Sequence, residues 1–558
     1  MGAVHSKLNT LCLAIKLLLQ ANKSFEELLK RASAAPGLPV PNPTPSYWLA
    51  DPPYPELVDI RSPQLPAEAD IVIIGSGITG AAVARSVLSV LSVLSERRRK
   101  DATIAADAPH PDPNPEQTIV VLEARTLCSG ATGRNGGHIK PSSYEAFGQQ
   151  RRAGLAPERA AELARFQVAH VRTVTELCAR EGWDALAECR KVETVDLYLD
   201  EDDRDAAFAE VRELGRWVPE LEVRMWDAAE ARERFKVNSY VKGAISYTAG
   251  ALWPFRFVSC VWKDLLTKYE KRLSIETDTS VLAIGSRNGD GYAYAVTTNR
   301  GVVKCNHVVH ATNGFATQFI PGLRGKMTGV LATMSAQRPG DKFPDLNGAR
   351  SWSVVYGKSF DYATQRPTTA DGRPGDIMLG GGFDRSRDQG ASVIGVWDDS
   401  RTDALPLAHL GGIFPTIFEP NWGRDSSPGG ERSRTRQVWS GVICPTGDLL
   451  PFVGRLDPRL TGRREGADAK AQVNSENSGC AVQPGEWISA GYCGDGMTWA
   501  WLSGTALGIM ISGGETEDLP EAPGRPGGRL ADWLPPELLP SLSRVKKAGL
   551  ENLAERFA

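Results

Sequence analysis

The most ordered pattern of apolar and polar positions begins where Asp70 is followed by an unbroken apolar run, Ile71 to Ile74, and then by glycines at 75, 77 and 80. Such a run predicts a strand buried on both faces, and the glycine spacing predicts a turn into a helix. The helical pattern continues through Ser86-Val-Leu-Ser-Val-Leu-Ser-Val-Leu94 to the charged Glu96-Arg-Arg-Arg-Lys100. A second apolar run ends in Leu122-Glu123-Ala124-Arg125. Strand, glycine turn, helix, strand and terminal acid together predict a dinucleotide site. Gly75 makes the tight turn, and Gly77 lets backbone amides approach a pyrophosphate. Gly80 seats the helix on the strand, with Ile78 and Thr79 at the helix start facing the phosphates. Glu123 is placed to accept hydrogen bonds from ribose hydroxyls. It lies farther from Gly80 than the usual spacing of about 20 residues. The Pro/Asp/Ala-rich residues 101–117 read as an inserted segment that accounts for the excess.

Periodicity beyond this motif predicts helix over residues 143–182 and a strand at Thr194–Leu199. A β-meander follows over Val281–Ile284, Tyr292–Thr297, Val302–Lys304 and His307–His310. Strands with long polar loops fill residues 327–436, and residues 456–485 read as a polar insertion. Ten prolines between 36 and 66 predict an extended arm, docked on the body through Tyr47, Trp48 and Tyr54. Ser24-x-x-Glu27 reads as a capping box. The resulting organisation is an N-terminal arm (1–66), a discontinuous nucleotide domain (67–190, 276–326 and 437–515), a second domain (191–275 and 327–436) and a C-terminal linker and helix (516–558).

Composition narrows the classes. The 558 residues carry 64 basic and 67 acidic side chains, which leaves no electrostatic footprint for nucleic acid. Nine scattered cysteines without a CxxC pair point to reduced thiols and a cytoplasmic location, and dispersed histidines predict no metal site. No stretch reaches 18 uncharged apolar residues, so no transmembrane helix is expected. Met1-Gly2-Ala-Val-His-Ser6 fits the spacing of an N-myristoylation signal, and Leu11–Leu19 reads as an amphipathic helix. Peripheral membrane contact through the N-terminus is the corresponding expectation.

Four further stretches resemble the D-amino-acid-oxidase superfamily of FAD enzymes. These are Cys128-Ser-Gly-Ala-Thr-Gly-Arg-Asn-Gly-Gly-His138, His307-Val-Val-His-Ala-Thr-Asn-Gly314, Trp439 to Gly454, and Trp487-Ile-Ser-Ala-Gly-Tyr-Cys-Gly-Asp-Gly-Met497. The arginine–asparagine–double-glycine loop is most similar to the gamma-glutamylputrescine oxidase branch. The resemblance implies an α/β fold: a Rossmann-type FAD domain, parallel sheet with β-meander, plus a mixed-sheet α+β substrate domain. It implies that Thr132, Gly133, Arg134, Asn135, Gly136 and Gly137 pass the pyrophosphate and the flavin ring. It further puts Ala124, Arg125, Val281, Ala311 and Thr312 on the adenosine side, and Gly494, Asp495, Gly496 and Met497 at the flavin pyrimidine edge. Arg134 is a candidate charge for a phosphate or the flavin.

Departures from the family pattern shape the functional expectation. Ile443 stands where glycine-oxidase-like members carry an arginine for the substrate carboxylate, and Cys444 stands where they carry proline. Related dehydrogenases attach FAD through a histidine at the position of Arg134, so non-covalent FAD is expected here. His138 is a candidate for facing the flavin, and Tyr362 and Gln365 are candidates for contacting substrate. The sequence reading is oxidation of a C–N bond of an amine by hydride transfer to FAD, with the imine hydrolysed and oxygen as acceptor. A dehydrogenase using a quinone or carrier protein, a small amino-acid oxidase, and a flavin-bearing binding protein remain alternatives.

Overall fold

The run Ile71–Ile74 becomes an inner strand of a six-stranded sheet. Its order is Phe452–Arg455, Gly485–Ala490, His307–His310, Ile71–Ile74, Ile119–Leu122 and Leu273–Glu276. All neighbours pair in parallel except Phe452–Arg455, which runs antiparallel to Gly485–Ala490. Every residue of Ile71–Ile74 and Ile119–Leu122 is buried, because both faces of the sheet are covered. One face carries the antiparallel meander Val281–Ser286, Tyr294–Thr298 and Gly301–Cys305, whose Val296 and Val303 share a core with Val72 and Val120. The other carries helices Ile78–Ile104 and Ala500–Ile511, tied together by the Ser86 hydroxyl donating to the Thr505 carbonyl at 2.7 Å.

This computed structural model describes residues 23–104, 117–287, 291–357, 359–425, 433–463 and 482–553. The myristoylation signal, the Leu11–Leu19 segment, and most of the two proposed insertions lie outside the described residues. Within them, the segment Ile78–Arg97 has length and hydropathy enough to cross a membrane, but 72% of its most apolar window is buried inside the protein. It is the core helix of the nucleotide fold, apolar on several sides because it is packed on several sides.

A mixed nine-stranded sheet forms the second layer. Its main path runs Thr435–Ile443, Val330–Gln337, Ile377–Gly381, Ser359–Gln365, Arg350–Tyr356, Arg190–Tyr198, Gly243–Ala251 and His138–Ile139, with Val223–Asp227 also paired to Gly243–Ala251. This corrects the segment boundaries read from sequence. His138–Ile139 and the end of Thr435–Ile443 belong to this sheet, although both fell in segments assigned to the nucleotide domain. Conversely, helix Pro254–Lys268 and strand Leu273–Glu276, assigned to the second domain, build the nucleotide layer. Long-range pairing partners decide sheet membership, and local propensity does not report them.

The proline-rich arm docks as expected. Trp48 is buried, and its indole N–H donates to the Asn135 carbonyl. The Ser46 hydroxyl donates to the Gly133 carbonyl at 2.6 Å, so the arm backs the loop that resembles a flavin-binding segment.

Candidate cofactor and substrate site

A single cavity of about 1390 Å³ runs from the glycine turn to the nine-stranded sheet. Ligand clefts of roughly 300–1,000 Å³ enclose one drug-sized molecule, so this space suits a dinucleotide with a second molecule beside it. Gly75, Gly77, Glu123 and Thr312 line one end, and Tyr362, Met334 and Glu145 line the other.

The dinucleotide end is built from the strand termini. Gly75 has φ of +108°, and a Cβ on it would stand 2.8 Å from the Ala311 carbonyl oxygen. The Thr132 hydroxyl accepts from the Ile78 amide at 3.1 Å, which fastens the second glycine loop to the start of the helix. Glu123 is held in place: its Oε2 accepts from the Ser76 amide at 3.1 Å and the Ser76 hydroxyl at 2.7 Å, and its Oε1 from the Arg125 amide at 3.1 Å. Oε1 therefore keeps acceptor capacity toward the cavity. The buried Thr312 hydroxyl has no partner among the described residues. A helix N-terminus, a pre-oriented carboxylate and an orphan hydroxyl around one cleft fit the pyrophosphate and ribose of FAD.

Arg134 departs from its expected use. Its guanidinium turns away from the cavity into the arm. It donates to the carbonyls of Ser129 (2.9 Å), Ser440 (2.8 Å) and Thr44 (2.8 Å) and to the Thr44 hydroxyl (3.1 Å), and stands 3.4 Å from Asp399. Arg125 uses the same carboxylate at 3.1 Å. The two arginines order the loop and share the one carboxylate of Asp399.

At the other end, the Tyr362 ring occupies the space a Cβ on Gly136 would take, so only glycine fits there. Tyr362 donates to the Met334 sulfur at 3.2 Å, and its ring lies nearly parallel to the His138 imidazole, with centroids 6.4 Å apart. Burial, and secondarily the nearby Asp495 charge, push the Tyr362 phenol up to about 12. Burial holds His138 well below its usual value, with Lys140 and Arg190 acting in the same direction, so its imidazole is neutral near pH 7. Its Nε2 is buried without a partner among the described residues.

Gln365 is the candidate that the fold removes. It shares a strand with Tyr362, but three positions along a strand reverse the face. Thr364, on the Tyr362 face, donates to the Gly136 carbonyl, whereas Gln365 is buried away from the cavity and approaches the Gly375 carbonyl at 3.4 Å. Trp499 lines the cavity, whereas Trp253 and Trp501 pack in the core. His310 is a core residue, bound to Glu486 at 2.9 Å.

Ile443 lines the cavity beside Gly494, where an arginine would face substrate in the family pattern. Cys444, the next residue along the strand, is wholly buried and points elsewhere. Cys493 lines the cavity, but burial pushes its thiol up to about 12. Asp495 opens into the cavity and is otherwise enclosed by protein, which pushes its carboxyl up to about 6 against the opposing pull of Lys140. Sequence reasoning missed Glu145, on the first turn of helix Ser143–Arg152, and Lys140, two residues beyond His138. Their only sequence signal is proximity to the flavin-type loop.

The model of the family described as "FAD dependent oxidoreductase" (DAO) matches residues 70–508. The chain belongs to this family and is an FAD-dependent oxidoreductase. Among solved structures it is similar to glycine oxidase from Geobacillus kaustophilus, at 15% identity over 81% of this chain and 96% of that one, with a TM-score of 0.55. L-proline dehydrogenase from P. horikoshii is similar at 20% identity, 81% and 96% coverage and a TM-score of 0.53. L-amino acid deaminase from Proteus vulgaris, lacking its specific insertion, gives 18% identity, 86% and 98% coverage and a TM-score of 0.54. At these identities the likeness concerns the fold. No curated protein matches the chain.

Proposed function

We propose that this enzyme oxidises a carbon–nitrogen bond of an amine that carries no carboxylate beside the nitrogen. Oxygen is the proposed acceptor, and FAD is held without a covalent bond. The observation that carries the reading is that, among the described residues, no arginine lining the cavity is free to clamp a carboxylate. Ile443 occupies the family's clamp position, and an isoleucine offers no bidentate donor. The four arginines that line the cavity each stand beside a carboxylate: Arg125 and Arg134 beside Asp399, Arg152 beside Glu210, and Arg385 beside Asp384. Arg366, a further possible clamp, is bound at both ends to Glu188 and does not reach the cavity.

Bound FAD supplies the hydride acceptor. The protein's part is to hold the amine so that its C–H meets that acceptor at about 3–3.5 Å. Tyr362 and His138 wall the reacting space, with the His138 imidazole neutral. The imine product leaves to be hydrolysed by water. The buried, protonated thiol of Cys493 supports non-covalent attachment, since a thiol must ionise to act as a nucleophile.

Two measurements test this reading. Acid precipitation should release all flavin into solution, and flavin retained on the chain contradicts the non-covalent part. After reduction by an amine, stopped-flow mixing with oxygen should regenerate oxidised flavin and yield peroxide. Fast reoxidation by a quinone with sluggish reoxidation by oxygen would assign a dehydrogenase instead.

A further inference from the structure

We infer that Glu145 and Asp495 form a cation-selecting pair that receives the ammonium group of the substrate, so that the cavity takes a positively charged amine and refuses an anionic one. This rests on the amine-oxidation reading and names the substrate class of the same site.

Both carboxylates line the cavity and are open to it. Among the described residues neither has a hydrogen-bond or ion-pair partner. Lys140 is the cation whose charge both of them feel, but its ammonium group already lies 2.7 Å from Asp196 and donates to Ser353 at 2.7 Å. Asp196 is itself engaged by the hydroxyls of Tyr144 at 2.7 Å and Tyr247 at 3.0 Å. Glu210, a further neighbour, is paired with Arg152; Arg190 acts on His138, whose imidazole burial keeps neutral. The sum at this end of the cavity is negative, with two carboxylates unanswered.

Two carboxylates open to one cavity, without a cation of their own, make a negative surface suited to a cationic ligand. A second feature points to a ligand independently of the acids. The His138 imidazole lines the same cavity at 9% exposure, with Nε2 unpartnered among the described residues. An ammonium group suits such a surface, since it brings a positive charge and up to three donors. An α-amino acid would bring its own carboxylate into the same negative space.

The test uses the FAD-loaded enzyme and tert-butylammonium as probe. This cation has no hydrogen on the carbon bearing nitrogen, so it cannot be oxidised to an imine, and its binding is read without turnover. Isothermal titration calorimetry at pH 8 should show it binding roughly tenfold or more tightly than neutral tert-butanol, with pivalate not binding. Glu145→Gln and Asp495→Asn should each remove most of that preference. In the wild-type enzyme the preference should fade as pH drops through about 7 and then about 6, where Glu145 and Asp495 take up protons. That arm needs no variant and stands even if a substitution fails to fold. Pivalate binding better than the cation, or a cation preference unchanged by both substitutions and by pH, overturns the inference. If amine oxidation itself is wrong, no amine reduces the flavin while the cation preference persists. If only the cation pair is wrong, amines still reduce it and the preference is missing.

Discussion

Arg134 and Asp399 form a buried pair, Nε to Oδ2 3.4 Å, that joins the flavin-type loop to the second domain. Asp399 also takes Arg125 at 3.1 Å, and its carbonyl accepts from the Thr44 amide of the arm at 2.8 Å. One carboxylate thus serves two arginines and anchors the segment that backs the loop.

Asp399→Ala leaves both guanidinium groups uncompensated. Stranding one buried charge costs about 3–5 kcal/mol. The expected result is a lower denaturation midpoint and loss of flavin during gel filtration. Asp399→Asn, which keeps hydrogen-bond acceptance, should fall between the variant and the wild type. Retention of flavin and midpoint in Asp399→Ala would contradict this role.

Gly136 and Tyr362 share one volume. Gly136→Ala forces the Tyr362 ring out of its place, and overpacking of this kind costs about 1–3 kcal/mol. Flavin content after purification should drop. Adding Tyr362→Leu should restore part of it, with a departure from additivity above about 0.5 kcal/mol in denaturation. Additive effects would show that the two residues do not compete for space.

Glu145 gives a pH signature in stability. Burial chiefly, with the charges of Asp196, Glu210 and Asp495, pushes its carboxyl from the ordinary 4.5 to about 7 against the pull of Lys140. Asp495 ionises first, near 6, and its charge then helps hold the Glu145 proton. The unfolded chain releases this proton at lower pH than the folded one. Stability from this group therefore falls as pH rises from about 4.5 to about 7 and stays low above. Glu145→Gln should melt higher than wild type at pH 8 and alike at pH 4.5, by thermal unfolding without added ligand. Equal melting at both pH values would mean that Glu145 ionises normally.

Ile443→Arg would place a clamp at the position the family uses. Affinity for glycine, sarcosine or D-alanine, read as perturbation of flavin absorbance, should rise from undetectable. A charged bidentate pair contributes on the order of 2–5 kcal/mol by truncation. Unchanged affinity would mean that position 443 does not face the substrate.

The nucleotide half was legible because its signals are local. Gly75, Gly77, Gly80 and Glu123 sit at spacings set by one turn and one strand, and the Tyr292–Thr297 meander announces itself by alternation. The second domain was less legible. Gln365 was proposed beside Tyr362 because the hairpin could be read but its facing parity could not. Arg134 was assigned to the cofactor because its charge is visible in sequence, whereas Asp399, far along the chain, is a tertiary partner. Glu145 gives no signal beyond its closeness to the flavin-type loop: a glutamate on the first turn of a helix is an ordinary dipole partner until the fold turns it into a cavity.

A cavity that serves a cationic amine lacking an adjacent carboxylate sorts substrates by that carboxylate. Anaerobic reduction of the bound flavin, followed by bleaching of its visible absorbance, measures this. Primary alkylamines and diamines are compared with glycine, sarcosine, D-alanine and L-proline. The account predicts bleaching by members of the amine set and none by the amino acids at equal concentration. Bleaching by an amino acid, with the amines inert, would contradict it.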